Sequence, residues 1–180
     1  MKKQLTKALI LTQAILSMVF FASTAVYADS SVDLSGLKMK NAAQPYENIV
    51  TGGQPSAADL SLLKAQGVTN IINLRGAGES VNYNEAEEAK KLGINYVSLQ
   101  IASADAVSIE NAKKLDELLK ANSGKTLVHC ASSNRVGALF AIKAAVIDGK
   151  SHDQAMTEGL SAGMKSLRKR TEVVLSTLKK

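Results

Sequence analysis

The residues best suited to chemistry lie in the segment HCASSNR, from His129 to Arg135. Cys130 is the only cysteine in the 180-residue chain, so it has no partner for an internal disulfide. A lone cysteine is either an inert buried side chain or a group kept for chemistry. Here an arginine follows five positions later, and its planar fork matches two oxygens of a phosphate or sulfate. The segment therefore predicts a thiol nucleophile beside an anion-binding group.

The sequence on each side predicts a strand before Cys130 and a helix after it. Residues Lys125 to His129 are typical of a short buried strand, and residues Arg135 to Asp148 are apolar on nearly every side, as in a buried helix. Ligands of open α/β sheets bind at the carboxyl ends of the strands. Loop N–H groups and the positive end of a helix attract anions there and favour the nucleophilic thiolate.

Strands and helices alternate through the rest of the chain. Apolar and β-branched runs predict strands at Ile49–Val50, 68–74 and 94–101, and helical spacing predicts helices near 56–66, 82–92, 108–121, 152–161 and 167–178. The order predicts an α/β fold, with one domain built on a mainly parallel four- to five-stranded sheet flanked by helices. We expect this domain to span residues 46–180, after a flexible leader at 29–45.

The first 28 residues are typical of a secretory signal peptide. Three lysines precede an apolar run from Ala8 to about Ala25, and small residues favour cleavage near Ala28. The sequence thus predicts export, to a bacterial periplasm, without stable membrane insertion after cleavage. The alternative is an uncleaved anchor. Cleavage removes those lysines and no acidic residue, so the formal charge falls from +6 to +3.

The composition argues against several other classes of function. The remaining basic residues cluster near the C-terminus without interleaved aromatic residues, so we expect no nucleic-acid partner. Two histidines and one cysteine lie too far apart for zinc spacing. The chain has neither a Walker pattern nor a dinucleotide glycine fingerprint. The sequence therefore predicts chemistry without a metal or another cofactor, and it leaves the oligomeric state open.

The motif HCASSNRVG resembles the signature of the protein tyrosine phosphatase superfamily. The upstream segment ENIVTGGQPSAADLSLLKAQGVTNIINLR resembles the opening of the compact dual-specificity-like members. Over about Tyr46 to Gly159, the chain is most similar to the bacterial phosphatase-like domain of β-lactamase-hydrolase-like proteins. The resemblance implies that Cys130 attacks phosphorus to form a cysteinyl-phosphate. It also implies that the phosphoryl oxygens are held by a loop of Ala131, Ser132, Ser133, Asn134 and Arg135, and that the substrate is a phosphorylated protein or a small phosphate ester.

Three further residues have roles that the resemblance or their position suggests. In the superfamily an aspartate protonates the leaving oxygen, and Asp105 lies in the corresponding loop; the alternative is a loop or capping residue. The resemblance implies that His129 tunes the thiolate, although it could equally be a satisfied buried histidine. Arg75 follows a predicted strand and either meets the anion or, as we expect, forms a surface ion pair with Glu79.

The motif departs from the common phosphatase pattern at three points. Four residues instead of five separate Cys130 from Arg135, Ser133 replaces a glycine, and Val136 replaces a serine or threonine. The shorter loop also occurs in rhodanese-like sulfurtransferases, so persulfide chemistry at Cys130 is an alternative function. A non-catalytic module that binds phosphorylated or sulfated ligands is another.

Overall fold

The computed structural model describes residues 31–79 and 81–178. Its centre is a five-stranded sheet in the order β1-β2-β5-β3-β4. Neighbours in β2-β5-β3-β4 are parallel, and β1 pairs antiparallel with β2. The strands are β1 (Ala43–Tyr46), β2 (Ile49–Gly52), β3 (Val68–Asn73), β4 (Asn95–Ser98) and β5 (Lys125–His129). The predicted α/β class with a mainly parallel sheet is confirmed.

The helices cover both faces of this sheet. They are α1 (Ala57–Ala65), α2 (Glu85–Lys91), α3 (Ile109–Ala121), α4 (Asn134–Val146), α5 (His152–Ser161) and α6 (Arg168–Ser176). Leu60 of α1 and Ala89 of α2 pack on one face with Ile71 and Leu127. The other face carries α3 to α6, and Ile72 and Val128 point towards them. This division follows from the alternation of side chains along a strand.

Helix α4 is the most deeply buried helix, as its composition predicts. Eight of its residues are buried, and Phe140 stacks on Tyr46 of β1 with ring centroids 5.6 Å apart. The helix packs against α3, α5 and α6. Because α4 begins directly after the Cys130 loop, this packing fixes the position of the loop relative to the sheet.

The prediction of a flexible leader is wrong for the part of the leader that the structure describes. Ala43 to Tyr46 form β1, and the Val32 and Met39 side chains are buried against the α1 side of the sheet. Leu34, Leu37 and Ala42 pack against the same cluster, and the Lys38 N–H donates to Asp59 at 2.7 Å, so the segment is docked on the domain. The predicted signal peptide at residues 1–28 lies outside the described residues. Within 31–79 and 81–178, none of the helices has the length and apolar character needed to span a membrane.

Candidate active site

Cys130 lies at the carboxyl end of β5, the middle strand of the sheet. His129 pairs with Gly52 of β2 and with Asn73 of β3. The Cys130 N–H donates to the Gly52 carbonyl at 3.3 Å. Four residues later the chain has already entered α4, so the N–H groups of the first helical turn have no partner within the helix and are directed towards the loop. The predicted strand–loop–helix arrangement is therefore present.

The start of the loop packs against Gly53, after β2, and is hydrogen-bonded by the N-terminal segment. A Cβ atom added at Gly53 would lie 2.8 Å from the Ala131 carbonyl oxygen, so only glycine allows this approach. Gln54 N–H donates to the same carbonyl at 3.4 Å, and the Asn41 side chain donates to the Ser132 carbonyl at 2.8 Å. The segment predicted to be a leader thus supports the candidate catalytic loop.

Ser133 adopts the backbone conformation that glycine usually supplies. Its φ is 66° and its ψ is −5°, in the left-handed region that is unfavourable for a residue with a Cβ. The buried Ser133 hydroxyl donates to the Ala162 carbonyl at 2.8 Å, which offsets part of that cost. Across from it, a Cβ on Gly163 would approach the Ser133 Cβ to 2.5 Å. The loop can therefore carry Ser133 instead of a glycine because Gly163, before α6, leaves space for the serine side chain.

The end of the loop is tied to the segment between α5 and α6. Asn134 accepts hydrogen bonds from the Lys165 N–H at 2.8 Å and the Leu167 N–H at 3.2 Å, and it donates to the Ser166 hydroxyl at 2.6 Å. Val136 is fully buried in the core. The hydroxyl that many phosphatases carry at that position is replaced here by an apolar packing contact.

Arg135 is held by Glu79 through two parallel hydrogen bonds. Nη1 and Nη2 donate to the two Glu79 oxygens, and Nη1 also donates to the Ile101 carbonyl at 2.7 Å. Hydrogen bonding to Arg135 lowers the pKa of Glu79 to about 2. The Glu79 contact is in turn the main cause of a raised pKa for Arg135, and the charge of Cys130 adds to it. The fork is thus fixed and charged beside the sulfur.

His129 is fully buried, and its ring faces a buried carboxylate and the backbone of Cys130. Its Nε2 lies 2.7 Å from Oε1 of Glu85, the first residue of α2. Its Nδ1 lies 3.4 Å from the Cys130 carbonyl oxygen. The other Glu85 oxygen accepts from Gln54 at 3.0 Å and from Asn73 at 3.2 Å.

Arg75 pairs with Glu79, as predicted, but it does not lie on the surface. Its Nε is 3.5 Å from a Glu79 oxygen, and only 10% of its side chain is exposed. Nη1 donates to the Gln54 side chain. Glu79 is therefore shared by two arginines, with Arg135 on the Cys130 side and Arg75 over β3.

Asp105 lies in the predicted loop between β4 and α3, and its carboxylate is open to solvent. The side chain is 94% exposed and its nearest cation is Arg170, at 3.8 Å. Arg170 also donates to the Asp105 carbonyl at 3.2 Å. The loop is anchored at its ends by the buried Ile101 and Val107, whereas residues 102–105 are all exposed.

Two cavities open at this edge of the sheet. The smaller, of about 310 Å³, borders the candidate catalytic loop and is lined by Ser132, Asn134, Arg135, Glu79, Leu167 and residues 102–104. The larger, of about 620 Å³, lies over β3 and β4 and contains Arg75, Glu85 and many amide and hydroxyl groups. The smaller cavity is the one beside the nucleophile, although Cys130 itself is covered.

Sequence reasoning missed two carboxylates and one glycine of this site. Glu79 was considered only as a partner of Arg75, although a carboxylate after a strand and near two arginines is a signal that could have indicated its role. Glu85 carries no such signal, because its contact with His129 depends on how α2 docks. Gly163 matters only because of the Ser133 conformation 30 residues earlier.

The fold and the loop define a protein tyrosine phosphatase-like domain. The family model described as "DSP-PTPase phosphatase fused to NAD+ Kinase" matches residues 23–175. The chain belongs to this family of dual-specificity phosphatase-like hydrolases.

The chain is also similar to curated β-lactamase hydrolase-like proteins. It is 32% identical over 113 residues to the one from Xylella fastidiosa strain Temecula1, which covers 58% of this chain and 25% of that protein. The chain thus spans about a quarter of the length of the curated relatives that it matches.

Solved structures share the fold. A candidate phosphatase from Neisseria meningitidis has a TM-score of 0.63 at 16% identity, covering 74% of this chain and 98% of its own. P. aeruginosa TpbA, solved as a cysteine-to-serine form in complex with phosphotyrosine, has a TM-score of 0.54 at 15% identity, covering 82% and 85% of the two chains.

Proposed function

We propose that this domain hydrolyses phosphate monoesters through a cysteinyl-phosphate intermediate. The Cys130 thiolate forms a bond to phosphorus while the bond to the ester oxygen breaks, and that oxygen leaves with a proton from a carboxylic acid. Water then attacks phosphorus and gives a proton to the carboxylate formed in the first step, while the sulfur–phosphorus bond breaks, which releases phosphate and restores the thiolate. The observation that carries the proposal is the fixed, charged Arg135 fork beside a buried cysteine at the start of α4.

The bonding of Arg135 supports a role in holding the phosphoryl group. Three guanidinium N–H groups are used by Glu79 and Ile101. Because arginine has five such groups, two remain, and a hydrogen bond between Arg135 and Cys130 contributes to the raised pKa of Arg135. Donors fixed before the reaction stabilise the charge that develops on phosphoryl oxygens without a further cost of reorganisation. We therefore assign Arg135 and the backbone of residues 131–134 to transition-state binding.

Two carboxylates, Glu79 and Asp105, are candidates for the proton donor, and we propose Asp105. Glu79 lies closer, but with a pKa of about 2 it stays ionised at neutral pH and has no proton to give. The Asp105 carboxylate is 94% exposed and lies 3.8 Å from Arg170. The proposal requires the 102–105 segment to turn inward over a bound phosphate ester, which its exposed residues permit.

Hydrolysis of p-nitrophenyl phosphate by the purified protein tests the proposal directly. We expect turnover by wild type and loss of at least about 10³-fold for Cys130→Ser and for Arg135→Ala. The control is Glu87→Gln, since Glu87 is an exposed residue of α2. Equal rates for wild type and Cys130→Ser would refute the cysteinyl-phosphate route.

For the physiological substrate we propose a phosphorylated protein or a small phosphate ester. The phosphotyrosine complex of TpbA supports this class. The smaller cavity is open and is lined near the loop by Ala102, Ser103 and Ala104, so no bulky side chain there excludes an aryl or alkyl ester. Release of phosphate from phosphotyrosine and phosphoserine peptides, compared at equal concentrations, tests the dual-specificity assignment.

Persulfide chemistry at Cys130 is the second candidate function. It is favoured by the short, six-residue loop from Cys130 to Arg135. In this loop Ser133, whose hydroxyl is buried, stands where the family usually has a glycine. Incubation with thiosulfate followed by intact-mass measurement distinguishes the two functions. A gain of one sulfur that is lost in Cys130→Ser supports the sulfurtransferase, and an unchanged mass together with phosphate release supports the phosphatase.

We also propose that the protein acts after export. The support is the charged and apolar pattern of the first 28 residues, which is typical of a cleaved signal peptide. Expression of the full chain in a bacterium, with fractionation and N-terminal sequencing, should give a periplasmic product that begins near Asp29. A cytoplasmic product with an intact N-terminus would contradict the proposal.

A further inference from the structure

The larger cavity lies beside the candidate catalytic site and shares a wall with it. Glu79 lines both cavities, and it binds Arg135 of the smaller cavity and Arg75 of the larger one. Gly76 of the larger cavity packs on Ala102 of the smaller one, where an added Cβ would lie 2.8 Å from the Ala102 Cβ. The Glu79 side chain is 29% exposed, so a phosphate ester in the smaller cavity can extend over it into the larger cavity.

The lining of the larger cavity is polar but holds little uncompensated charge. The charged residues of the described lining are Arg75, Glu79 and Glu85. Arg75 and Glu79 form an ion pair at 3.5 Å. Glu85 is 5% exposed and accepts hydrogen bonds from the side-chain amides of Gln54 and Asn73. Because the lining has two carboxylates and one guanidinium, it disfavours a second phosphate or carboxylate group.

Neutral hydrogen-bonding side chains make up more than half of the described lining. Tyr96, Ser98 and Gln100 stand at alternate positions along β4 and just beyond it, so they lie on one face of the strand. Asn82 comes from the segment before α2. Ser98, Gln100 and Asn82 are exposed, and their side chains form no hydrogen bond with residues 31–79 and 81–178. A ligand in the cavity therefore meets amides and a hydroxyl that no described residue occupies.

The two phenol groups of the cavity add a donor and an acceptor. The Tyr96 hydroxyl accepts from Asn73 at 2.8 Å and still has its own proton to donate. Burial raises the pKa of Tyr96, so this proton is held at neutral pH. The Tyr83 hydroxyl donates to the Pro55 carbonyl at 2.8 Å, and its oxygen can still accept. These bonds fix the polar ends of both rings before a ligand binds.

We propose that the larger cavity binds the alcohol part of a hydroxyl-rich phosphate ester, such as a hexose phosphate, while the candidate catalytic loop holds the phosphoryl group. An uncharged ring with several hydroxyl groups can pair with the amides and phenols and needs no cation. The cavity volume of about 620 Å³ lies in the usual range of ligand sites. The inference rests on the proposed function in that Cys130 attacks this ester.

Hexose 6-phosphates and cyclohexylmethyl phosphate give a matched test. Each ester has a six-membered ring on a primary carbon, and the hexose adds the ring oxygen and the hydroxyl groups. The kcat/KM of the glucose, mannose and galactose esters is compared with that of the cyclohexylmethyl ester. We expect at least one hexose ester to be preferred by about tenfold or more, because a site built to bond hydroxyl groups rejects an analogue without them. A preference below about threefold for all three hexoses would overturn the proposal.

The Ser98→Ala/Gln100→Ala double variant tests whether this preference depends on the cavity. We expect most of the preference to be lost, because the variant removes two groups that face the ligand. The control is Asn48→Ala, which removes an exposed amide just before β2, at the opposite edge of the sheet, and should keep the preference. An unchanged preference in the folded double variant would overturn the proposal.

Calorimetric titration of the Cys130→Ser protein separates this inference from the proposed function, because it needs no turnover. We expect the preferred hexose ester to bind about tenfold or more tightly than cyclohexylmethyl phosphate. Such binding, with no hydrolysis of p-nitrophenyl phosphate by wild type, would reject the phosphatase and leave the site in place. Hydrolysis of p-nitrophenyl phosphate without a hexose preference in binding or turnover would reject the site and leave the phosphatase.

A phosphotyrosine peptide tests the other possible occupant of the cavity. The double variant should reduce kcat/KM for the preferred hexose ester by at least about tenfold more than for the peptide. An equal loss for both substrates would show that the cavity receives the peptide chain, and it would overturn the proposal.

Discussion

The Cys130 loop and the Asp105 loop lie on the same edge of the sheet but are held in opposite ways. Residues 130–135 are bound on several sides, by Gly53, by Asn41, by the segment before α6 and by Glu79. Residues 102–105 are exposed and are fixed mainly at their buried ends. A loop that binds a charged group stabilises it better when its donors are already fixed in place. A loop that carries the proton donor must instead let the substrate enter before it closes over it.

The largest expected effect follows from filling the space that Ser133 needs. Gly163→Ala adds a Cβ that would lie 2.5 Å from the Ser133 Cβ, at a φ of +98°. We expect unfolding free energy to fall by about 4 kcal/mol, from overpacking and backbone strain together. Denaturant titration measures this loss.

Gly149→Ala is the matched control for backbone strain alone. Gly149 also has a positive φ, of +66°, but a Cβ there meets open space, so we expect a loss of about 1 kcal/mol. Ser133→Gly should reduce the cost of Gly163→Ala by removing the clashing atoms. Equal losses at Gly163 and Gly149 would show that the loop is not packed as tightly as the comparison requires.

Glu79→Gln tests the fixed position of the Arg135 fork. Without the carboxylate, Arg135 loses the charged partner of two hydrogen bonds, so its remaining donors are no longer aimed at the phosphoryl group. We expect kcat/KM for an aryl phosphate to fall by about 10²- to 10³-fold. A fall of less than about threefold, in a protein with unchanged circular dichroism, would indicate that Arg135 does not depend on Glu79.

Asp105→Asn tests the exposed loop. If the carboxyl group protonates the leaving oxygen, kcat should fall by about 10²-fold for alkyl phosphates and much less for p-nitrophenyl phosphate, whose leaving group needs little protonation. Stability should change by less than about 0.5 kcal/mol because the side chain is 94% exposed. Equal losses for both esters would assign the proton donor elsewhere.

The pH dependence of stability gives a smaller effect on the fixed loop. Glu79 has a pKa of about 2 in the folded chain against an ordinary value of 4.5. Its stabilisation is therefore fully present above about pH 4.5 and is lost as the pH falls towards 2. Allowing for solvent screening, we expect wild type to lose about 1–2 kcal/mol over this range relative to Glu79→Gln. Parallel acid titrations of the two proteins would contradict this.

The two loops also differ in how far they could be predicted from the sequence. The Cys130 loop could be placed because a β-branched strand and an apolar helix flank it, and both patterns are local. The pattern that places Asp105 in a loop is equally local, but no local pattern predicts the direction of its side chain. The contacts of Glu85, Gly163 and Val32 depend on docking between distant segments, and no spacing in the sequence encodes them. The many polar residues between 31 and 45 concealed the apolar side chains that anchor this segment.

The smallest expected effect concerns Arg170, the cation nearest to Asp105. The pair is 3.8 Å apart, with the Asp105 side chain 94% exposed and that of Arg170 33% exposed, and ion pairs open to solvent contribute less than about 1 kcal/mol. If the Asp105 loop is free to move over the substrate, Arg170→Gln should have little effect. We expect the equilibrium constant of unfolding and kcat/KM each to change by about twofold or less. Arg168→Gln, which removes the exposed arginine at the first position of α6, is the control. A change of more than about tenfold for Arg170→Gln alone would mean that this loop, too, is positioned in advance.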